Sequence, residues 1–394
     1  MIDIVFNKKE FEYDAYTLIK AFYPQEEVSI LYEGEEKTEA FQEKEEAFLV
    51  VKITYNKEDT RLEVLKNKET VFEETIFLAS DDERKERKNK LKQALYRGLS
   101  KETKKVLPWG DLTGIRPTKI AMGLIESGMS NVETAEFMRN TYYTSNEKTA
   151  LAITIANRER ALLADIDYKN GYSLYVGIPF CPSICLYCSF SSYPLAKWRN
   201  KVDAYLDALC KELTYIGETM KVRTLDTIYI GGGTPTTLEP EQLERLLSHI
   251  ECCFPTREVK EYTIEAGRPD SITREKLEVI RKYPVTRISV NPQTMNQATL
   301  DLIGRRHTVE DTRHAFALAR ECGFDNINMD LIVGLPGECA KDVQKTLEEV
   351  KKMEPDSLTV HSLAIKRATR LHLLSRPISG DVLWKIIRRL WIWQ

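Results

Sequence analysis

Apolar and polar residues alternate, or run apolar, through Met1–Phe6, Phe48–Tyr55, Arg61–Leu65 and Thr70–Leu78. That is the rhythm of half-buried strands. The charged stretches Glu43–Glu46 and Asn56–Thr60 read as connections between them. Asp81–Leu99 is highly charged, with leucines and Ala94 at helical spacing, and predicts an amphipathic helix. Lys119–Ser127 and Asn131–Leu163 also read as helical, and Ala164–Gly171 is a plausible boundary.

From about residue 172 the rhythm changes. Strand-like runs at Leu174–Phe180, Thr227–Ile230, Glu261–Glu265, Arg287–Val290, Asn326–Val333 and Ser357–Leu363 alternate with helical stretches. Those helices are Lys201–Met220, Pro240–Cys252, Thr273–Lys282, Glu310–Glu321 and Lys341–Met353. Alternating strands and helices imply a parallel sheet with right-handed crossovers. The expected fold is α/β: a partial (β/α)6 barrel at 166–370, preceded by a smaller α+β domain at 1–165 and followed by a divergent or truncated tail at 371–394.

Composition narrows the function classes. A length of 394 fits two or three domains, and 42 % apolar residues can build a real core. A net charge of −3 speaks against binding nucleic acid through charge. No apolar run approaches a membrane span. Met1-Ile-Asp-Ile-Val-Phe-Asn lacks a leader's basic start, so eight cysteines imply a reducing compartment, the cytoplasm. Cys210, Cys252, Cys253, Cys322 and Cys339 are scattered and read as ordinary thiols. Pro108-Trp-Gly-Asp-Leu-Thr-Gly-Ile-Arg-Pro-Thr118 is either a binding surface or, by preference, a rigid packed turn.

The chemistry concentrates at Cys181-Pro-Ser-Ile-Cys185-Leu-Tyr-Cys188, a C-x3-C-x2-C loop at the end of the first strand of the repeat. Three thiolates suit a soft metal or three irons of a cluster. A closed zinc site needs a fourth ligand, and the next cysteine and the first histidine are Cys210 and His249. Three ligands and one free position suggest a catalytic centre. Chance clustering of buried thiols is the bland alternative, and three cysteines in eight residues make it a poor one. Polar residues recur at later strand ends: Gly231-Gly-Gly-Thr-Pro-Thr236, Glu265, Gln293, Arg305 and Asp330. A glycine run lets backbone approach a ligand, although alone it is usually a tight turn. A lone Glu, Gln, Arg or Asp is more often a solvated surface group.

Gly177-Ile-Pro-Phe-Cys-Pro-Ser-Ile-Cys-Leu-Tyr-Cys188 resembles the cluster loop of radical S-adenosylmethionine (SAM) enzymes. It is most similar to the oxygen-independent coproporphyrinogen III oxidase family, in its HemZ-like branch, over roughly residues 172–367. The resemblance implies a [4Fe–4S] cluster on Cys181, Cys185 and Cys188, with SAM chelating the free iron. It places SAM against the Gly231 loop and Glu265, and a second SAM against Gln293, Arg305 and Asp330. Tyr175, Tyr187, Gly231, Gly232, Thr234 and Ala364 complete that carry-over. Cleavage of SAM would give a 5′-deoxyadenosyl radical that takes hydrogen from a propionate of coproporphyrinogen III. Decarboxylation, twice, would give protoporphyrinogen IX. Arg268, Arg305, Arg306 and Lys366 are candidate partners of the propionates by position. An electron donor and an electron acceptor are implied but not identified.

Three departures bear on this expectation. Gly177 stands where the best-studied members have His, and Phe190 where they have a fourth cysteine. After about Arg367 the resemblance fades into a tail with one acidic residue, Asp381, and three tryptophans, Trp384, Trp391 and Trp393. A basic amphipathic helix, Asp381–Trp393, is the alternative reading of that end. The competing functions are haem binding or delivery on the same scaffold, and a cluster-bearing regulatory or RNA-modifying protein. Net acidity and the absence of basic runs near residues 1–80 weigh against RNA.

Overall fold

The computed structural model describes residues 1–34, 47–77, 83–114, 116–167, 170–366 and 368–375. The connection at 43–46, Ile115, Arg367 and the tail from 376, with Asp381, Trp384, Trp391 and Trp393, lie outside them. The chain divides into two units, Met1–Asp165 and Ile166–Gln394.

In the first unit, period-2 alternation puts Ile2, Ile4 and Phe6 of β1 (Ile2–Phe6) into a core with Leu49, Val51 and Ile53 of β3 (Leu49–Tyr55). β2 (Val28–Tyr32), β4 (Asp59–Lys66) and β5 (Glu69–Phe77) complete a sheet ordered β2-β1-β3-β4-β5. β1 runs parallel to β2 and β3, whereas β3-β4-β5 is an antiparallel meander. α1 (Glu12–Phe22) makes the crossover from β1 to β2 and buries Ala15, Leu18, Ile19 and Phe22. α2 (Arg84–Thr103) adds Leu91, Ala94, Leu95 and Leu99 to the same core.

α1 and β2 were not among the expected elements. The helix expected over Asn131–Leu163 is two helices, α4 (Asn131–Tyr142) and α5 (Asn146–Leu162), which follow α3 (Thr118–Glu126). Tyr143 turns left-handed at φ +56° and Ser145 caps the next helix by accepting from the Lys148 N–H. The break is therefore built by local capping chemistry inside an otherwise helical run.

The second unit carries the six-stranded sheet. Its strands are β6 (Tyr172–Ile178), β7 (Leu225–Gly232), β8 (Glu261–Gly267), β9 (Arg287–Val290), β10 (Ile327–Val333) and β11 (Ser357–Ser362). They pair in sequence order, all parallel. Alternation turns Leu174, Val176, Ile178, Ile228, Ile230, Ile264, Ile288, Val290, Met329 and Leu331 into one apolar core. Against that core pack α6 (Val202–Met220), α7 (Pro240–Cys253), α8 (Arg274–Arg281), α10 (Val309–Glu321) and α11 (Ala340–Met353). The six expected repeats are all present. A further short helix, α9 (Gln297–Leu302), follows β9, and α12 (Arg370–Ser375) follows β11. The α/β partial barrel preceded by an α+β unit is the fold. No described helix is long and apolar enough to cross a membrane.

Candidate active site

In the second unit the positions that do not face the apolar core carry polar side chains. Tyr175, Tyr229, Thr263, Glu265, Ser289, Asn328 and Asp330 hold these alternate positions along β6 to β10. Several are fully or nearly fully buried: Thr263, Ser289 and Asn328 are each no more than 4 % exposed, and Asn291, just beyond β9, is 6 % exposed. A parallel sheet is usually apolar on both faces. A buried polar face needs partners, and here they are partly internal. Asn328 donates to Asp330 (2.7 Å) and accepts from Ser357 (3.0 Å) and Thr359 (3.1 Å).

The cysteine loop leaves β6 at Pro179. Phe180–Cys181 pairs with Tyr193–Pro194, which closes the loop on itself. Cys181 and Cys185 are buried and Cys188 is half-buried, and all three are free thiols. The Thr234 hydroxyl lies 3.6 Å from Cys181 Sγ. Burial pushes the Cys181 thiol up to about 11, against the pull of that hydroxyl, and also raises Cys188. Bare thiolates are thus disfavoured here, and a cationic partner would reverse that.

The glycine loop sits against the cysteine loop by backbone pairing. The Gly233 N–H donates to the Ile178 carbonyl (2.7 Å) and the Thr234 N–H to the Phe180 carbonyl (2.8 Å). A Cβ on Gly233 would stand 2.6 Å from the Phe180 carbonyl and 2.9 Å from Cys181 Sγ, so no side chain fits. Lys276 of α8 is buried and donates to the Thr236 carbonyl (2.7 Å), which fixes the far end of the glycine loop.

Around this pair stand the other expected residues. Tyr229 donates to Glu265 at 2.5 Å and stacks on Tyr175, with ring centroids 5.9 Å apart. Burial raises the Glu265 carboxyl, with the Tyr229 hydrogen bond acting against it and Asp330 adding to it. Gln293 sits at φ +68°, bridging β9's end to β10 through the Asp330 carbonyl (2.9 Å) and the Ile332 N–H (2.9 Å). That is a strained backbone for a non-glycine residue, of the kind found at ligand sites. Its Oε1 is buried without a partner, as are Asn291 Oδ1 and Arg305 Nε. Arg305 donates to the Asn291 carbonyl and meets the Tyr187 hydroxyl and the Cys185 thiol. Ala364 and Lys366 lie exposed just beyond β11. Gly177 has open space on its Cβ side, with the Tyr175 ring 3.6 Å away.

One expectation is corrected and two residues were missed. Arg268 is not free for a propionate: it is 3 % exposed, forks onto Asp270 and donates to Ser183. His307, which sequence reasoning did not assign, is fully buried with neither ring nitrogen hydrogen-bonded, its Nδ1 4.0 Å from Asp270 Oδ1. Burial and Arg305 push it down to about 4, so it is neutral. Tyr229 was also missed, although its place between Ile228 and Ile230 in an alternating strand signals it.

Beside the cysteine loop lies an open cavity of about 470 Å³. Ser183 and Ile184 of the loop line it, with Asp301, Gly304, Arg305, Arg306 and Arg370.

Comparison with known proteins settles the family. Residues 175–350 match the Radical SAM superfamily. The chain is 38 % identical over 357 residues to the oxygen-independent coproporphyrinogen-III oxidase-like protein HemZ of Bacillus subtilis, covering 88 % of this chain and 70 % of that protein. The chain belongs to the radical SAM coproporphyrinogen oxidase-like family. Within that family it is 37 % identical over 211 residues to the heme chaperone HemW of Bacillus subtilis, covering 51 % of this chain and 55 % of HemW. It is 34 % identical over 195 residues to the oxygen-independent coproporphyrinogen III oxidase of Escherichia coli, covering 49 % of this chain and 42 % of that enzyme. The chain thus spans about half the length of these last two relatives. The solved structure of the latter enzyme is 28 % identical at a TM-score of 0.48, covering 59 % of this chain and 54 % of that one.

The superfamily's cofactors are a [4Fe–4S] cluster and SAM. The donor set fits: three soft thiols on one closed loop, two of them buried. Among the described residues no three Cys, His, Asp or Glu side chains are gathered for a single ion. A cluster takes one thiolate per iron and spreads its ligands further apart than one tetrahedral ion does.

Proposed function

We propose that the chain is an oxygen-independent coproporphyrinogen III dehydrogenase, which converts propionate side chains to vinyls in porphyrin synthesis. The observation that carries the reading is the arginine-lined cavity against the cysteine loop. Arg306 and Arg370 are exposed in it, and Arg305 offers a buried, unpartnered Nε. Guanidinium groups recognise carboxylates through paired, charge-assisted hydrogen bonds. A substrate bearing several propionates is the chemistry such a wall suits.

In this reading Cys181, Cys185 and Cys188 hold the cluster. Glu265 and the carbonyls of the Gly231–Thr234 loop would accept from the SAM ammonium group, with Tyr175 beside them. Tyr187, Gln293, Arg305, Asp330 and Ala364 line the ground for one or two SAM molecules. When bound, cluster and SAM supply the one-electron chemistry that activates a carbon–hydrogen bond. The chain's own work is orientation and exclusion of water. The orphaned Gln293 Oε1 and Asn291 Oδ1 provide acceptors inside the site, and the Tyr175–Tyr229 stack provides an apolar wall.

The anaerobic assay tests this. Reconstituted, reduced protein with SAM and coproporphyrinogen III should give 5′-deoxyadenosine and two successive losses of carbon dioxide by mass spectrometry. Deoxyadenosine with intact porphyrinogen would sink the decarboxylase reading. Haem delivery is the second reading, favoured by the 37 % identity to the heme chaperone HemW. Tight stoichiometric haem binding without turnover would select it.

A further inference from the structure

Arg268 lies outside the residues assigned to cluster, SAM or substrate, yet it is among the most buried charges of the second unit, at 3 % exposed. Its Nε and Nη2 donate to the two oxygens of Asp270 at 2.9 and 2.7 Å. Its Nη1 donates to the carbonyl and hydroxyl of Ser183 at 3.1 and 2.8 Å. Ser183 in turn donates to the Gly304 carbonyl at 2.8 Å. One planar guanidinium therefore ties the loop after β8 to the middle of the Cys181–Cys185 segment, and through Ser183 to the turn that carries Arg305. Those loops are 85 and 121 residues apart in sequence. A lysine has neither the fork nor the plane to make these bonds together.

We infer that the Arg268–Asp270 pair is a positioning device for the cluster loop that also sets the cluster's reduction potential. The inference rests on the cluster assignment above. Arg268 is the side of the pair that bonds to the loop, through Ser183, whereas the Asp270 carboxylate bonds to Arg268 and lies 4.0 Å from His307 Nδ1. Reduction adds one negative charge to the centre held by the three thiolates. A buried cation next to that loop favours the added charge, and the carboxylate behind it opposes it. The two members of the pair should therefore shift the potential in opposite directions. A role confined to loop geometry has no reason to give opposite signs.

The test uses the full chain, anaerobically reconstituted, with the reduced-cluster signal followed by electron paramagnetic resonance through a redox titration. Arg268→Gln, which leaves Asp270 uncompensated, should lower the potential, making reduction on the order of tenfold harder, roughly 59 mV for a one-electron couple. Asp270→Asn should raise it. Arg268→Lys, which keeps the charge and loses the fork, should keep a potential near wild type but hold less iron. Shifts of the same sign in Arg268→Gln and Asp270→Asn, or no shift in Asp270→Asn, would overturn the inference. Should Arg268→Gln retain no iron, the sign of the Asp270→Asn shift decides. Iron and sulfide content of the wild-type protein, measured first, reports on the cluster assignment separately from the pair.

Discussion

The two sheets of this protein alternate in the same way and use the second face differently. In the first unit, Ile2, Ile4, Phe6, Leu49, Val51, Ile53, Leu62 and Val64 face one apolar core. The positions between them on β3 and β4, Val50, Lys52, Thr54, Arg61 and Glu63, are half-buried or exposed, and Arg61 pairs across the sheet with Glu73. In the second unit the positions between core residues are as polar, but many are buried. Buried polar groups are normally paired within the protein. Where this face leaves Gln293 Oε1, Asn291 Oδ1 and Arg305 Nε without partners, the sheet has kept bonding capacity for something else. A wet polar face stabilises a fold by keeping it soluble, whereas a dry one with orphaned atoms marks a site. Substitutions on the two faces should therefore separate stability from function.

The sharpest break is Cys185→Ala. Loss of one of three ligands should abolish SAM cleavage, a fall of at least about a thousandfold. Far-ultraviolet circular dichroism should stay as in wild type, since a small free thiol contributes little packing. Persistent formation of 5′-deoxyadenosine would remove the cysteine loop from the chemistry. On the other sheet, Phe22→Ala empties a fully buried site among β1, β3 and α2 and should cost about 3–5 kcal/mol in denaturant unfolding. It should leave the iron content of the folded fraction unchanged. An equal loss of iron would show that the first unit supports the site more directly than its core does.

Glu265→Gln lies on the dry face and should do the reverse. Glutamine keeps the shape and the Tyr229 hydrogen bond but loses the charge that a SAM ammonium would meet. Hydrogen bonds to charged groups contribute roughly 1.5–3 kcal/mol, so SAM affinity should fall about 10- to 100-fold by equilibrium binding. Unfolding stability should move by less than about 1 kcal/mol, since the carboxyl is already raised by its burial. Unchanged affinity would take Glu265 out of the SAM site.

What the sequence disclosed follows from range. The C-x3-C-x2-C loop, the glycine run and the strand rhythm are local, so they were legible in neighbouring residues. The alternation also held Tyr229, although a tyrosine between two isoleucines reads as core until its neighbours across the sheet are known. The Arg268–Ser183 contact spans 85 residues, and nothing in Arg-Pro-Asp270 says that the guanidinium turns back to the cysteine loop. His307 is hidden for the same reason: Asp270 and Arg268, which face it, come from the loop after β8. The Tyr143 break is locally encoded by Ser145 capping, but helical periodicity on both sides of it masks that signal. α1 and β2 are short, 11 and 5 residues, and precede a stretch of charges that obscures the pattern.

The smallest expected effect returns to the first unit, where one buried polar group does stand on the structural side of the comparison. Asp111 belongs to the loop Pro108–Thr118 and is 1 % exposed, with Oδ1 unpartnered. Its N–H donates to the Tyr142 carbonyl at 2.9 Å. The preceding Gly110, at φ +60°, sits so close that a Cβ would fall 1.8 Å from that same oxygen. The loop is thus a packed turn, and the carboxyl is carried inside by it. Burial pushes Asp111 from 3.8 up to about 7, with Lys92 acting the other way. A carboxyl raised in the folded state contributes stability that is fully present below about pH 4 and is lost as pH climbs towards 7. Above that range the charged form remains buried at a cost. Asp111→Asn removes the cost, so its gain over wild type should grow between pH 5 and pH 8 by about 1–2 kcal/mol, discounted for partial solvation and for Lys92. Urea unfolding of the full chain at both pH values measures this directly. A gain equal at the two pH values would mean that Asp111 is already ionised beside Lys92, and that this loop too holds charge for use rather than for packing.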